Sequence, residues 1–372
     1  MKKILVFGIT DNPGGMESVI MNYYRYIDRD KVQMEFLCNT QKVAYESEIL
    51  QLGGVIYRIP ARKDGIGVFR KALKKFFAEN GKRYTAFWFN TCSLANIDYL
   101  KEAKKAGIPC RIIHCHNAAN GDSFLRGMIH KLNQRKAIRL ATDYWSCSSD
   151  ANQWFYGKKD IEKRPEYRLI NNAIAAKEFV LDENVRAQYR KQLNIENKIV
   201  LGHVGRFHFQ KNQKFLIPIM KLLKERKVDA VLLLVGQGDD QKVIEQRVRE
   251  EQLQDCVYFL GVRDDIKQLL WAMDVFIFPS VFEGLSLSIL EAQAAGLPCI
   301  ASDQISPKSK VEENFQFLSL DAQPSKWVEA ILEALNCERK DNCKCFVDAG
   351  LDIACEAKKM EDFFLSVANQ QE

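Results

Sequence analysis

Two carboxylates, Glu283 and Glu291, stand eight positions apart in the stretch from Phe278 to Pro298. The apolar run 275–278 reads as a buried strand stopped by Pro279, and 287–295 as a helix ended by Gly296 and Pro298. A helix that starts near residues 285–287 aims free N–H groups and its positive dipole end at its surroundings, most naturally at a phosphate. The two glutamates can then bond hydroxyls on either side of a diphosphate, although spacing alone suits two surface glutamates of an ordinary βα unit equally well. Upstream, the strand 200–204 runs into Gly205-Arg206-Phe207-His208-Phe209-Gln210-Lys211. Arg206 and Lys211 would clamp a diphosphate from two sides while Gly205 lets it approach the backbone. Gly236 and Gly238 close the next strand and border a sugar or base pocket in this reading. Val262, in the turn after Gly261, would meet a base through its backbone.

The first half holds weaker signals. Gly14-Gly15 lies between a strand and a helix, where glycines permit close approach and the helix start offers N–H donors. It lacks both the G-x-G-x-x-G spacing and a P-loop lysine. His116 ends the strand 111–116, where it can donate to a sugar hydroxyl or a carbonyl without acting as a base; as packing it is only a polar residue closing a strand. His114 shares its face, so a two-histidine metal site competes, with no carboxylate or third histidine nearby.

These residues need a frame of strands and helices. Apolar runs at 4–7, 34–37, 55–59, 87–89 and 112–114, then 199–204, 230–235, 257–260, 275–278 and 299–301, alternate with amphipathic stretches. The expected fold class is α/β, with two doubly wound parallel-sheet domains. A length of 372 residues fits two domains. A helix is expected at about 182–193. A last helix at 354–367 carries Phe363, Phe364 and Val367 on one side.

Hydrophobic content of 47% and charged content of 27% are those of a soluble globular chain. No apolar run is long enough to span a bilayer, and the first residues enter a strand directly, so a cytoplasmic location is expected. The eleven cysteines form no disulfide framework, and neither His114-Cys115-His116 nor Cys343-Lys344-Cys345 has zinc-site spacing. Residues 1–170 hold 29 Lys and Arg against 17 Asp and Glu, and the remainder 25 against 31. A basic first half suits a nucleic acid, an anionic membrane or an anionic substrate, unless its lysines simply line solvated helix faces.

In their order, Gly14-Gly15, His116, Ile170-Asn171-Asn172-Ala173, Arg206 with Lys211, and the pair Glu283 and Glu291 resemble the family 4 retaining glycosyltransferases of GT-B fold. The resemblance covers nearly the whole chain. The His-Cys-His-Asn stretch is similar to the branch that builds bacterial capsular and exopolysaccharide repeat units. Glu283-Gly284-Leu285-Ser286 departs from the usual E-G-F-G, Ala173 stands where glycine is usual, and no acid follows His116 before Asp122.

The resemblance implies two Rossmann-like domains facing a central cleft. Residues 1–172 would form the acceptor side, 173–197 a connection, and 198–353 the nucleotide-sugar domain, with the helix 354–372 packing back on the first. It implies transfer, with retention, of a hexose or N-acetylhexosamine from a nucleotide sugar, by family habit a UDP-sugar, to a lipid-linked or oligosaccharide acceptor. Arg206, Lys211 and the backbone of Gly284, Leu285, Ser286 and Leu287 would hold the diphosphate, so that no metal or other cofactor is needed. Glu291 would hold the ribose, Glu283 the sugar ring, and His116 and Gly14-Gly15 would reach the sugar from the other domain; no general base is assigned. The basic half would hold a lipid-diphosphate-linked sugar and touch the anionic inner membrane peripherally, from its cytoplasmic face. A sugar-nucleotide epimerase on the same scaffold is the alternative. A non-catalytic nucleic-acid-binding protein is the alternative of another class, but no interleaved aromatic and basic strands and no helix-turn-helix support nucleic acid as a partner.

Overall fold

The structure is a computed structural model that describes residues 1–116, 124–157 and 160–368. The chain divides into two compact units, Met1–Ala173 with Ile353–Glu372, and Ile174–Asp352.

Unit 1 carries seven strands: β1 (Lys2–Phe7), β2 (Val32–Cys38), β3 (Val55–Arg58), β4 (Ala86–Thr91), β5 (Cys110–Cys115), β6 (Asp143–Ser146) and β7 (Tyr167–Leu169). They form one sheet in the order β3-β2-β1-β4-β5-β6-β7, with every pairing parallel. Parallel neighbours need helical crossovers that cover both faces, which is why β2 and β4 are buried at nearly every position rather than at every second one, with even Gln33 and Glu35 shielded from water. The helix Ile353–Ala368 belongs to this unit and sets Phe364, fully buried, against Trp88 and Trp145.

Unit 2 carries β8 (Ile199–Val204), β9 (Ala230–Val235), β10 (Val257–Gly261), β11 (Val275–Phe278), β12 (Cys299–Ser302) and β13 (Phe315–Leu318). Its order, β10-β9-β8-β11-β12-β13, repeats the doubly wound pattern of unit 1, again all parallel. Both sheets are therefore Rossmann-like. Of the stretch 173–197, expected as a connection, Ala173 belongs to unit 1 and the rest to unit 2. There Asp182 accepts from the Asn184 and Val185 N–H groups to cap the helix Glu183–Gln192, whose Arg186 and Arg190 pair with Asp274.

The ten strands expected from apolar runs are all present. Sequence reasoning passed over β6 and β13: a polar residue interrupts each, Asp143 at the start of β6, its carboxylate held by Thr142 and Arg168, and Gln316 within β13. All eleven cysteines are free, and six of them are buried. Among the described residues no helix is long and apolar enough to cross a membrane.

Candidate functional site

In each sheet the winding reverses beside the first strand, between β1 and β4 in unit 1 and between β8 and β11 in unit 2. Loops leaving such neighbours depart in opposite directions and open a crevice at the carboxyl ends, where open parallel sheets bind ligands. The residues singled out above gather at these two edges.

In unit 2 the loop after β8 supplies Lys211 and the loop after β11 supplies Glu283. Lys211 Nζ lies 2.7 Å from Glu283 Oε1, and the side chains are only 16% and 12% exposed. The contact is a close ion pair off the hydrogen-bond direction, since Glu283 Oε1 finds no aligned donor. Partly shielded from water, it is stronger than a surface pair. The ammonium also stands 3.4 Å from Ser286 Oγ and 4.7 Å from the centroid of the Phe278 ring.

Three bonds tie the two loops together. Val281 N–H donates to the Gln210 carbonyl at 2.8 Å, Gln210 Nε2 to the Phe282 carbonyl at 3.0 Å, and Asn212 Nδ2 to the Pro279 carbonyl at 3.2 Å. On its other side the acidic loop is held by Ser306 N–H on the Glu283 carbonyl, 3.0 Å, and by Ser309 Oγ on the Gly284 carbonyl, 3.3 Å.

The helix Leu287–Ala294 begins at Ser286, whose hydroxyl does not cap it but meets Ser288 Oγ at 3.2 Å. Its first-turn N–H groups have no intrahelical acceptors, and they share the positive end of the helix dipole. Glu291 follows on the same helix. Removal from water pushes its carboxyl up to about 7. Leu285 and Leu290 anchor this helix start in a small apolar cluster with Ile174, Phe346 and Leu351.

Other expected residues are placed differently. Arg206 faces solvent and pairs with Asp239 at 3.0 Å, both largely exposed. Val262 is exposed in the turn after β10. Gly236 and Gly238 approach backbone of their own unit. A Cβ on either would lie 2.2 Å from a carbonyl oxygen, that of Gly205 or of Phe207, and Gly236 has φ +127°. They lock the end of β9 to the β8 loop, with Gly205 N–H donating to the Val235 carbonyl and Phe207 N–H to that of Gln237. Gly238→Ala is accordingly expected to destabilise the protein by about 2–4 kcal/mol in denaturant titration. A change under about 0.5 kcal/mol would show that the backbone has room there.

In unit 1, Gly14 precedes the helix Gly15–Tyr26. This turn meets the chain's own Glu17, which is 6% exposed and whose Oε1 accepts from Thr10 Oγ1 at 2.6 Å; a Cβ on Gly14 would lie 2.8 Å from its other oxygen. Burial pushes the Glu17 carboxyl up, while the Thr10 hydroxyl and the N–H groups of Glu17, Thr10 and Gly14 pull it down. His116 Nε2 lies 2.8 Å from Asn90 Oδ1 on β4, and His114 Nδ1 lies 3.0 Å from the same oxygen. An amide oxygen only accepts, so a neutral His116 that bonds Asn90 through Nε2–H presents Nδ1 as an acceptor, whereas the other tautomer leaves Nδ1–H to donate as sequence reasoning expects. Burial lowers the His116 ring to about 3, which keeps it neutral. The two histidines stand 4.1 Å apart by ring centroids, and among the described residues no metal-holding group of three His, Cys, Asp or Glu exists.

Sequence reasoning missed Asn90, Glu17 and His203. Nδ1–H of the buried His203 donates to the Ile277 carbonyl at 2.9 Å, and burial with the nearby Lys211 charge lowers the ring to about 4. Its signal was available: it stands two residues before Gly205, on the same strand face. A cavity of about 420 Å³ lined by Arg186, Asp274 and Arg339 lies at the other end of the unit 2 strands, away from these loops.

The chemistry this edge can do is narrow. One half-buried cation, an open helix start and a carboxylate poised near neutrality suit an anion that also bears hydroxyls.

Residues 185–347 match the family model described as glycosyl transferases group 1. The chain is 33% identical over 336 residues to EpsF of Bacillus subtilis (strain 168), a protein designated a glycosyltransferase, covering 87% of this chain and 85% of that one. It is 26% identical to the Escherichia coli UDP-Gal:alpha-D-GlcNAc-diphosphoundecaprenol alpha-1,3-galactosyltransferase, over 71% of each chain. Among solved structures, Anabaena Alr3699/HepE in complex with UDP and glucose superposes with a TM-score of 0.82 at 20% identity, covering 98% of this chain and 100% of that one. That likeness gives the fold, which is GT-B.

Proposed function

The chain belongs to the glycosyl transferases group 1 family, and from that premise we propose that it moves a hexose or N-acetylhexosamine, with retention, from a UDP-sugar to a lipid-diphosphate-linked or oligosaccharide acceptor in capsular or exopolysaccharide assembly. The observation that carries this reading is the Lys211–Glu283 pair at the open start of the helix Leu287–Ala294. Similarity to EpsF and to an enzyme named for a diphosphoundecaprenol acceptor supports the choice of acceptor.

In this mechanism Lys211 leaves Glu283 for the diphosphate. As the anomeric C–O bond breaks, negative charge gathers on the departing phosphate oxygen. The ammonium and the first-turn N–H groups stabilise it without reorganising, and so little help from a strong acid is needed. Arg206 adds charge by exchanging Asp239 for phosphate. Glu283, released, accepts from hydroxyls of the sugar ring, while Glu291 accepts from the ribose. The acceptor's proton passes to the departing phosphate oxygen on the same face, and no protein base is required.

In unit 1, His116 Nδ1 accepts from a sugar hydroxyl, with Gly14 and Gly15 beside it. Asn90→Ala should therefore lower kcat by about tenfold, as a loosened ring free to change tautomer loses that bond, while UDP affinity stays within about twofold. Unchanged kcat would remove His116 from the site.

A thermal-shift screen tests the donor. UDP and UDP-sugars should raise the melting temperature by several degrees, as any ligand does that binds only the folded chain. A flat response to every nucleoside diphosphate would overturn the reading. With UDP-sugar and no acceptor, only slow hydrolysis should follow, whereas an epimerase would interconvert sugars.

A further inference from the structure

The helix Phe124–Leu140 in unit 1 is built inside out over its first three turns. There it turns polar side chains toward its own unit, and only later do Ala137 and Ile138 pack inward. His130, 1% exposed, takes the Leu94 N–H on Nδ1 at 3.0 Å; Asn133 donates to the Leu94 carbonyl at 2.8 Å, and Gln134 to the Phe155 carbonyl at 3.1 Å. Outward it turns Leu125, Met128, Ile129 and Leu132, spaced i, i+3, i+4 and i+7 on one face, with Leu125 63% and Leu132 73% exposed. A surface helix in water has the reverse pattern. An apolar stripe kept in the open at the expense of buried polar groups marks a face that meets an apolar partner.

Charge identifies the partner. Lys136 and Arg139 continue the outer face toward the carboxyl end, Lys131 and Arg135 flank it, all four are exposed, and the helix contains no acidic residue. Leucines followed by cations along one face make an interfacial helix, in which the apolar part enters the acyl boundary and the ammonium and guanidinium groups meet anionic head groups. At the same carboxyl edge of the sheet, Ile66 and Val68 open the helix Ile66–Asn80 with more than half of each surface exposed.

We propose that the outer face of the helix Phe124–Leu140 docks the enzyme on an anionic lipid bilayer. The choice of lipid as occupant leans on the lipid-linked acceptor proposed above; the face itself does not. Docked there, the enzyme would meet its acceptor in two dimensions rather than three.

The test uses the full chain in flotation with vesicles, without donor or acceptor. The protein should float with phosphatidylglycerol vesicles at low salt, and its affinity should fall at least about tenfold in about 0.5 M salt or on pure phosphatidylcholine. Leu125→Ser with Leu132→Ser should weaken binding about tenfold or more, with the melting temperature and the UDP shift unchanged. Wild-type protein that stays in solution, or a double variant that floats equally well, would overturn the proposal. So would a concentration-dependent dimer abolished by the same variant, which would give the face to a second copy. Loss of UDP binding in the wild type would strike the donor reading and leave this one standing.

Discussion

Lys211→Ala should lower kcat/KM for sugar transfer by about a thousandfold, because the ammonium is a half-buried cation set against the helix start where the leaving diphosphate would gather charge. The same change leaves Glu283, 12% exposed, without its cation, and should destabilise the protein by about 1–3 kcal/mol. The effects are separable. Lys211→Ala with Glu283→Gln should recover most of the stability and none of the transfer, since the neutral amide needs no counterion. Transfer within about tenfold of wild type in Lys211→Ala would refute the assignment, because removal of one preorganised donor usually costs about a hundredfold or more.

Glu291→Gln should move stability and binding in opposite directions. The Glu291 carboxyl titrates near 7 in the folded protein against an ordinary value of 4.5. Between these values the folded chain holds a proton that the unfolded chain has lost, so this group makes stability fall as pH rises from about 4.5 to 7. Glutamine removes that penalty. At pH 8 the variant should be more stable by roughly 1–3 kcal/mol, and at pH 4.5 it should match the wild type. Binding runs the other way. Ribose hydroxyls donate best to the ionised carboxylate, so wild-type affinity for a UDP-sugar should rise with pH through about 7, while the variant should bind about a hundredfold more weakly at pH 8. Calorimetry with UDP-glucose is the suitable assay, because its phosphates do not titrate in this range. Equal affinities would leave Glu291 a buried carboxyl without a ligand.

The frame of the molecule was legible because its strands are buried on both faces. The run Ala230–Val235 has no polar residue and is buried throughout. In β13 Gln316 breaks a run of only four residues, so its apolar pattern does not stand out. The site was legible only in part. Glu283 and Lys211 each follow a strand, but their meeting depends on β8 and β11 being neighbours, which strand order decides and local pattern does not. Asn90 was invisible for the same reason: nothing in its local sequence announces that β4 lies beside β5 and sets its amide under His116. Arg206 shows the limit of residue type, since its side chain is long enough to choose Asp239 as partner. Gly236 and Gly238 were read as bordering a sugar or base pocket, and their packing against the backbone of the β8 loop is a second demand for glycine that only the tertiary structure displays.

The carboxylate of Glu17 has one more consequence. A loop of unclaimed N–H groups at a helix start captures small anions indiscriminately, and a cell offers inorganic phosphate and ATP in great excess over any nucleotide sugar. Glu17 Oε1 is already held by Thr10 Oγ1, so the Gly14 turn carries its own carboxylate where such an anion would settle. On the proposed reading, product inhibition by UDP and competition from other cellular phosphates then fall on the edge that holds Lys211.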